Sequence, residues 1–255
     1  LASGDFQARL RFGRLLTSHP TFAELTDSFN KMAEELGSTE MLRNDFINNF
    51  SHEFKTPIVS IAGFARILKR GNLTPGQQAE YLDIIESESL RLSEMATNVL
   101  NLTRIENQSI LTNVSQFNLS EQIRSCILLL EHKWSPKALD WRLDFGEFEI
   151  SGNEELLKQT WLNLIDNAIK FSPEGETVEI SISQVPERVS VTVANAGPEI
   201  PQEARERVFH KFYQADESHS SEGNGVGLAI VKRVVELHRG KVSVGSGGGI
   251  TTFSV

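Results

Sequence analysis

Phe50-Ser51-His52-Glu53-Phe54-Lys55-Thr56-Pro57 sits in the middle of a run in which Ile47, Phe50, Phe54, Ile58, Ile61, Ala65 and Leu68 fall on one stripe of a helix. The spacing predicts a helix of about 30 residues. At about 100° per residue, His52 lies about 200° from Phe50 and about 160° from Phe54, so it points away from the apolar seam and into solvent. Thr56 and Val59 share its face. Pro57 removes a helical N–H and frees the carbonyl of Glu53, which favours a local bend. Beyond this helix, Arg70 to Gly76, with Gly71, Asn72, Pro75 and Gly76, reads as a turn. A second helical stripe follows through Tyr81, Ile85, Leu92, Met95, Val99 and Leu102. Upstream, Thr21 and Glu24 form a capping-box pattern, and Phe22, Leu25, Phe29, Met32 and Leu36 make a short seam that Gly37-Ser38-Thr39 interrupts. The two long helices therefore form an antiparallel hairpin. Each has only a narrow apolar seam, so pairing of two chains into a four-helix bundle is the natural way to cover it.

From about Ser115 the pattern changes to short helices mixed with strands. Ser120 can cap a helix through Glu131, and Asn153 another through Lys170. Val178 to Ser183, Val189 to Ala194 and Lys241 to Val244 read as strands. Nothing repeats at the period of a solenoid or propeller. With 255 residues, 39% of them hydrophobic, the chain is an ordinary globular sequence of one large or two to three small domains. A formal charge of −9 without a Lys/Arg cluster argues against nucleic-acid binding. The single cysteine, Cys126, lies in an apolar run and reads as a small buried residue in a reducing compartment. No stretch is apolar for long enough to cross a bilayer, so the chain as given is expected to be soluble. It opens on Leu1 and shows no signal peptide, which points to a piece of something longer.

The residues Asn163-Leu164-Ile165-Asp166-Asn167-Ala168-Ile169-Lys170-Phe171 put two amides and one ammonium, Asn163, Asn167 and Lys170, on a single helical face. A polar strip on an amphipathic helix is common, but an amide oxygen is a hard ligand and a lysine a compact positive charge, which suits Mg²⁺-phosphate. Downstream, Gly223-Asn224-Gly225-Val226-Gly227-Leu228 opens an apolar helix running to about His238. Its glycines let backbone approach phosphate oxygens, and the helix N-terminus offers N–H groups and a favourable dipole.

The run around His52 resembles the H-box of histidine kinase dimerisation domains, and Asn163 to Phe171 resembles the N-box of the ATPase fold shared by histidine kinases, gyrase-type topoisomerases, the Hsp90 chaperone and MutL. The order of H-box, N-box, glycine turn and helix is the family's, and the resemblance covers nearly the whole chain. It implies an all-α N-terminal part followed by an α/β sandwich ATP-binding domain, the Bergerat fold. It further implies that His52 is the phospho-acceptor, that Glu53 draws on the far ring nitrogen, and that Thr56 can orient a water for dephosphorylating a partner. By the same resemblance Asn163 and Asn167 contact Mg²⁺ and phosphate, Lys170 contacts phosphate, and Phe171 packs near the nucleotide. Gly223, Gly225, Gly227 and Leu228 form the phosphate turn, and Gln214 to Gly223 correspond to the family's ATP lid.

The chain departs from the family in places. Where an Asp usually accepts a hydrogen bond from adenine, it reads Asn195-Ala196-Gly197-Pro198-Glu199. Asn195 can still accept, but without charge assistance, at a loss of about 1 kcal/mol or roughly fivefold in affinity. Glu199 replaces a glycine, stiffens the turn, and brings a negative charge near the triphosphate unless it faces out. Gln214 stands where an Arg is common, and Lys211 can carry some of that charge. Ile250 stands in place of a usual Gly. Gly4-Asp5-Phe6 and Phe29 to Leu36 look like the second half of a HAMP signal-relay domain, which implies a membrane-embedded parent protein. The expected domains are a HAMP-like coiled coil at 1–38, the dimerising hairpin at 39–110 and the ATP-binding domain at 111–255. The expected function is an ATP- and Mg²⁺-dependent protein-histidine kinase, active as a homodimer and donating to an aspartate on a response regulator receiver domain. The rivals are a scaffold that binds nucleotide weakly and an ATP-hydrolysing machine of the gyrase or chaperone kind.

Overall fold

The computed structural model describes residues 6, 8–10, 20–185, 188–211, 213 and 225–255. They divide into two units, Leu1–Ile85 and Glu86–Val255, with the division falling inside a long helix.

In the first unit, helix α1 runs without a break from Pro20 to Arg70, 51 residues. The interruption expected at Gly37-Ser38-Thr39 does not occur, and the helix is longer than the periodicity predicted. A lone glycine costs a helix only about 1 kcal/mol, and no proline reinforces it here. Gly37 serves a contact instead: a Cβ there would lie 3.3 Å from Cβ of Phe6. The helix also continues through Pro57. It stops where Gly71 (φ 74°) and Asn72 (φ 60°) adopt the left-handed conformation, with Lys69 and Arg70 in its last turn facing the negative end of the dipole. Helix α2, Pro75–Glu106, starts inside the segment read as a turn. Thr74 and Gln77 cap it reciprocally: Gln77 N donates to Thr74 Oγ1 at 3.3 Å, and Thr74 N to Gln77 Oε1 at 3.0 Å. Pro75 is thus a first-turn proline, where its missing N–H is not needed. The rings of Phe64 and Tyr81, 5.1 Å apart, join the two helices as the expected hairpin.

In the second unit, Met95, Leu102 and Ile105 of α2 are buried. Strand β1 (Ser115–Asn118) pairs antiparallel with β3 (Glu149–Gly152). Between them come α3 (Leu119–Leu129), the short α4 (Glu131–Trp134) and β2 (Asp140–Asp144). Asn118, not Ser120, caps α3 by accepting from Glu121 N at 2.9 Å. Ser120 is already helical and buried; its hydroxyl donates to Gly146 O and accepts from Phe148 N. Asn153 caps α5 (Glu154–Phe171) as expected, accepting from Leu156 N at 3.0 Å, and its amide also donates to Thr112 O at 2.8 Å. Strands β4 (Thr177–Val185) and β5 (Arg188–Ala196), helix α6 (Gly227–Leu237), β6 (Ser243–Gly247) and β7 (Ile250–Ser254) complete the order. The sheet is β2-β4-β5-β7-β6, with β2 parallel to β4 and the other pairs antiparallel.

One face of this sheet is apolar by alternation: Val178, Ile180 and Ile182 on β4, Val191 and Val193 on β5, Phe253 on β7. Leu164, Ile165 and Ala168 of α5 and Ile230, Val231 and Val234 of α6 are buried with them. Cys126 is buried on α3, and burial pushes its thiol up to about 11 from 9.0. Between about pH 9 and 11 the thiol stays neutral in the folded chain but ionises in the unfolded one, so stability should be lost as pH rises through that window. A thiol-reactive disulfide reagent at pH 8 should label Cys126 only at the unfolding rate. Asn153→Ala should lower unfolding stability by about 1–2 kcal/mol in urea, since it removes the cap and the tie to Thr112 together.

Candidate phospho-acceptor helix and nucleotide site

His52 is exposed on α1, as helical geometry requires, while Phe50 and Phe54 turn the other way with ring centroids 4.3 Å apart. Its neighbour Glu53 is 8% exposed, and Pro57, one turn on, is also buried. Thr56 donates its hydroxyl to the His52 carbonyl at 3.3 Å, a helical back-bond that leaves the oxygen's lone pairs facing outward. Ile47 and Ile58, two members of the seam, are each 50% exposed, so the apolar stripe is only partly covered.

In the second unit the polar strip of α5 meets the start of α6. Asn163 donates Nδ2 to Gln159 O at 2.8 Å, which turns Oδ1 towards α6. There Gly227 leaves no room for a side chain: a Cβ on it would stand 2.8 Å from Asn163 Oδ1. Gly225 holds φ 62°, a conformation open to glycine, and among the described residues no side chain caps the first turn of α6. Its N–H groups are therefore directed at whatever sits before the helix, with the dipole favouring an anion. Leu228 is half-buried in that turn, and Asn167 and Lys170 are half-buried further along α5. The Lys170 ammonium lies 4.6 Å from the centroid of the Phe171 ring.

Asn195 is 4% exposed near the end of β5 and donates Nδ2 to Ala196 O at 2.8 Å, so its oxygen is presented on the other side. Gly197 packs on the end of α5, where a Cβ would come within 2.6 Å of Phe171 O. Glu199 is exposed and accepts from Gly249 N at 3.0 Å, while Gly197 N donates to Gly249 O at 2.9 Å. The Glu199 carboxylate is thus held on the β6–β7 turn. Lys137 was not singled out by any sequence signal. Its ammonium donates to the carbonyls of Ile169, Lys170 and Ser172 at 2.9, 2.9 and 3.0 Å and closes the C-terminus of α5. Only the fold brings Lys137 to that end.

Lys211 is ion-paired with Glu106 at 2.6 Å. Phe209 before it is buried edge-to-face on Phe253, at 6.3 Å. His210 has its pKa lowered by burial first and then by Lys232 and Arg207. Gly223, Asn224 and the stretch from Gln214 to Gly223 lie outside the described residues. Among the described residues no three His, Cys, Asp or Glu side chains converge as a metal site. A divalent ion here would be held by amide oxygen and phosphate, for which Asn163 Oδ1 is suitably turned.

A hairpin presenting a solvent-facing histidine is followed by a helix-covered mixed sheet in which a helix start meets an asparagine, the arrangement expected of a phospho-acceptor hairpin with an ATPase domain. Comparisons with known proteins agree. The family described as His Kinase A (phospho-acceptor) domain matches residues 42–108, and the family described as histidine kinase-, DNA gyrase B- and HSP90-like ATPase matches 152–255. The heme sensor protein HssS of Staphylococcus saprophyticus is 33% identical over 241 residues, 94% of this chain and 52% of that protein. The chain spans about half the length of the curated relatives it matches. Histidine kinase ThkA, solved in complex with response regulator TrrA, superposes with a TM-score of 0.69 at 26% identity, covering 88% of this chain and 65% of ThkA. Full-length ShkA in complex with AMPPNP superposes with a TM-score of 0.60 at 30% identity, covering 85% of this chain and 45% of ShkA. The chain belongs to the sensor histidine kinase family.

The Asn163–Gly227 approach is open to a direct check. Gly227→Ala should displace the Asn163 amide and cut the affinity for a fluorescent ATP analogue by about tenfold, the equivalent of ~1.4 kcal/mol. Its far-UV circular dichroism should be unchanged.

Proposed function

We propose that this chain uses ATP to phosphorylate His52 and passes the phosphoryl group to an aspartate on a response regulator receiver domain. The observation that carries the reading is that one chain holds both an exposed helical histidine and, in its second unit, a helix start at Gly227 set directly against Asn163. The lone pair of a neutral His52 ring nitrogen attacks the γ-phosphorus in line as the bond to the β-phosphate oxygen breaks and ADP departs. Glu53 favours the tautomer that leaves the attacking nitrogen bare. Asn163, Asn167, Lys170 and the α6 N–H groups hold the phosphates, and Asn195 accepts from adenine. Mg²⁺, held at Asn163 and Asn167, would neutralise charge on the phosphates. Transfer onward regenerates His52 as the aspartate oxygen takes the phosphoryl group. ShkA with AMPPNP and ThkA with TrrA show that relatives take these two kinds of partner.

The half-exposed Ile47 and Ile58 support a homodimer in which a second hairpin covers the seam. The stretch before residue 39 acts as a HAMP-like relay, and the ATP-binding domain starts near 111. The parent is a membrane sensor; among the described residues no helix is long and apolar enough to cross a membrane. The outward lone pairs of Thr56 support a second activity, dephosphorylation of the partner. Glu199 faces Gly249, which removes one motive for reading the chain as an inactive scaffold.

Incubation with γ-labelled ATP and Mg²⁺ should give acid-labile label on the wild-type chain and none on His52→Ala. Label that survives the substitution would overturn the acceptor assignment, and steady ATP hydrolysis independent of His52 would favour the chaperone-like reading. Thr56→Ala should slow decay of the phosphorylated partner several-fold while leaving His52 labelling within about twofold.

A further inference from the structure

We propose that Glu106 is an internal competitor of nucleotide phosphate for Lys211, so that the last turn of α2 holds the ATP-binding domain in a lower-affinity state. The inference rests on the reading of Lys211 as a cation serving the nucleotide, and adds what holds it back.

Two cations of the ATP-binding domain grip the end of α2. Lys211 Nζ lies 2.6 Å from Glu106 Oε1. Arg233, on α6, donates through one guanidinium nitrogen to Gln108 O at 2.6 Å and more distantly to Glu106 O at 3.4 Å. Glu106 O is one of the carbonyls that the end of α2 leaves open, Gln108 O follows just beyond it, and a cation there also meets the negative end of the dipole. Lys211 follows the buried Phe209, and Arg233 sits on the helix whose first turn places Gly227 against Asn163. The clasp therefore joins α2 to the two segments that frame the proposed phosphate end.

Three features make the clasp releasable. The ion pair is half-exposed, with side chains 38% and 36% accessible, and pairs of that kind contribute little net stability. Just past the last turn of α2, Gln108 Oε1 is buried with no hydrogen-bond partner among the described residues, a cost that opening to water would relieve. Beside Lys211, burial first and then the charges of Lys232 and Arg207 lower the His210 pKa, so two further cations stand near this segment for an anion to meet. In a chain of net charge −9 that must take a polyanion, a carboxylate occupying one of these cations opposes binding. By linkage, whatever opens the clasp tightens ATP, and ATP weakens the clasp by the same factor.

The test is equilibrium titration of this chain with a fluorescent ATP analogue and Mg²⁺ in four forms: wild type, Glu106→Gln, Lys211→Met and the double variant. Glu106→Gln should tighten binding by about two- to fivefold, the range of a surface ion pair, and the gain should vanish in the Lys211→Met background. Unchanged affinity in Glu106→Gln would overturn the clasp. A gain that persists without Lys211 would overturn it too, by showing only the general effect of one fewer negative charge. If Lys211→Met binds the analogue as well as its parent even in the Glu106→Gln background, the role of Lys211 at the nucleotide is what fails.

Discussion

Much of the second unit is organised by one steric condition: α5 and α6 approach so closely at Asn163 and Gly227 that a methyl group would not fit between them. Dispersion and burial along Leu164, Ala168, Ile230 and Val234 bring the helices together over the sheet. The missing side chain then lets the first turn of α6 come up to the polar strip of α5. The same economy recurs at Gly197, whose bare Cα lies on the Phe171 carbonyl and ties the end of β5 to the end of α5. Lys137 closes that end from the far side. A site built this way is rigid at its glycines and polar at its amides, which is the combination that phosphate recognition by backbone requires.

The first unit is organised differently. Its helix keeps His52 outside and Phe50 and Phe54 inside, and its apolar stripe is left half covered by the single chain. The proposed phospho-acceptor and the proposed association surface thus sit on opposite faces of one helix. A substitution on the seam can therefore alter assembly without touching the imidazole, and the reverse holds as well.

Sequence patterning disclosed the helices that carry the proposed chemistry because each is amphipathic over many turns and carries polar residues at helical spacing. Asn153 was legible as a cap because its side chain acts on the next turn. Ser120 was misread because Asn118, two residues earlier, is an equally good capping residue and the choice between them depends on the loop around Gly146 and Phe148. Gly37 was misread as a stop because its packing on Phe6 is a tertiary fact. Pro75 and Gly76 have the composition of a turn, whereas Thr74 and Gln77 supply the capping chemistry that makes them the first residues of α2. Strands β1, β2, β3 and β7 are four or five residues long, too short for alternation to declare itself. The engagements of Lys137, Lys211 and Arg233 join residues far apart in the chain, and no local pattern encodes them.

The unbroken course of α1 through Gly37 has a mechanical side. From Pro20 to His52 the helix is a single shaft of about 48 Å at 1.5 Å per residue, and the first lost rung in its hydrogen-bond ladder comes only at Pro57. A shaft transmits rotation and axial thrust along its length but offers no joint at which a bend could be absorbed. A torque applied near Pro20 is therefore delivered to the imidazole as a change in the direction it faces.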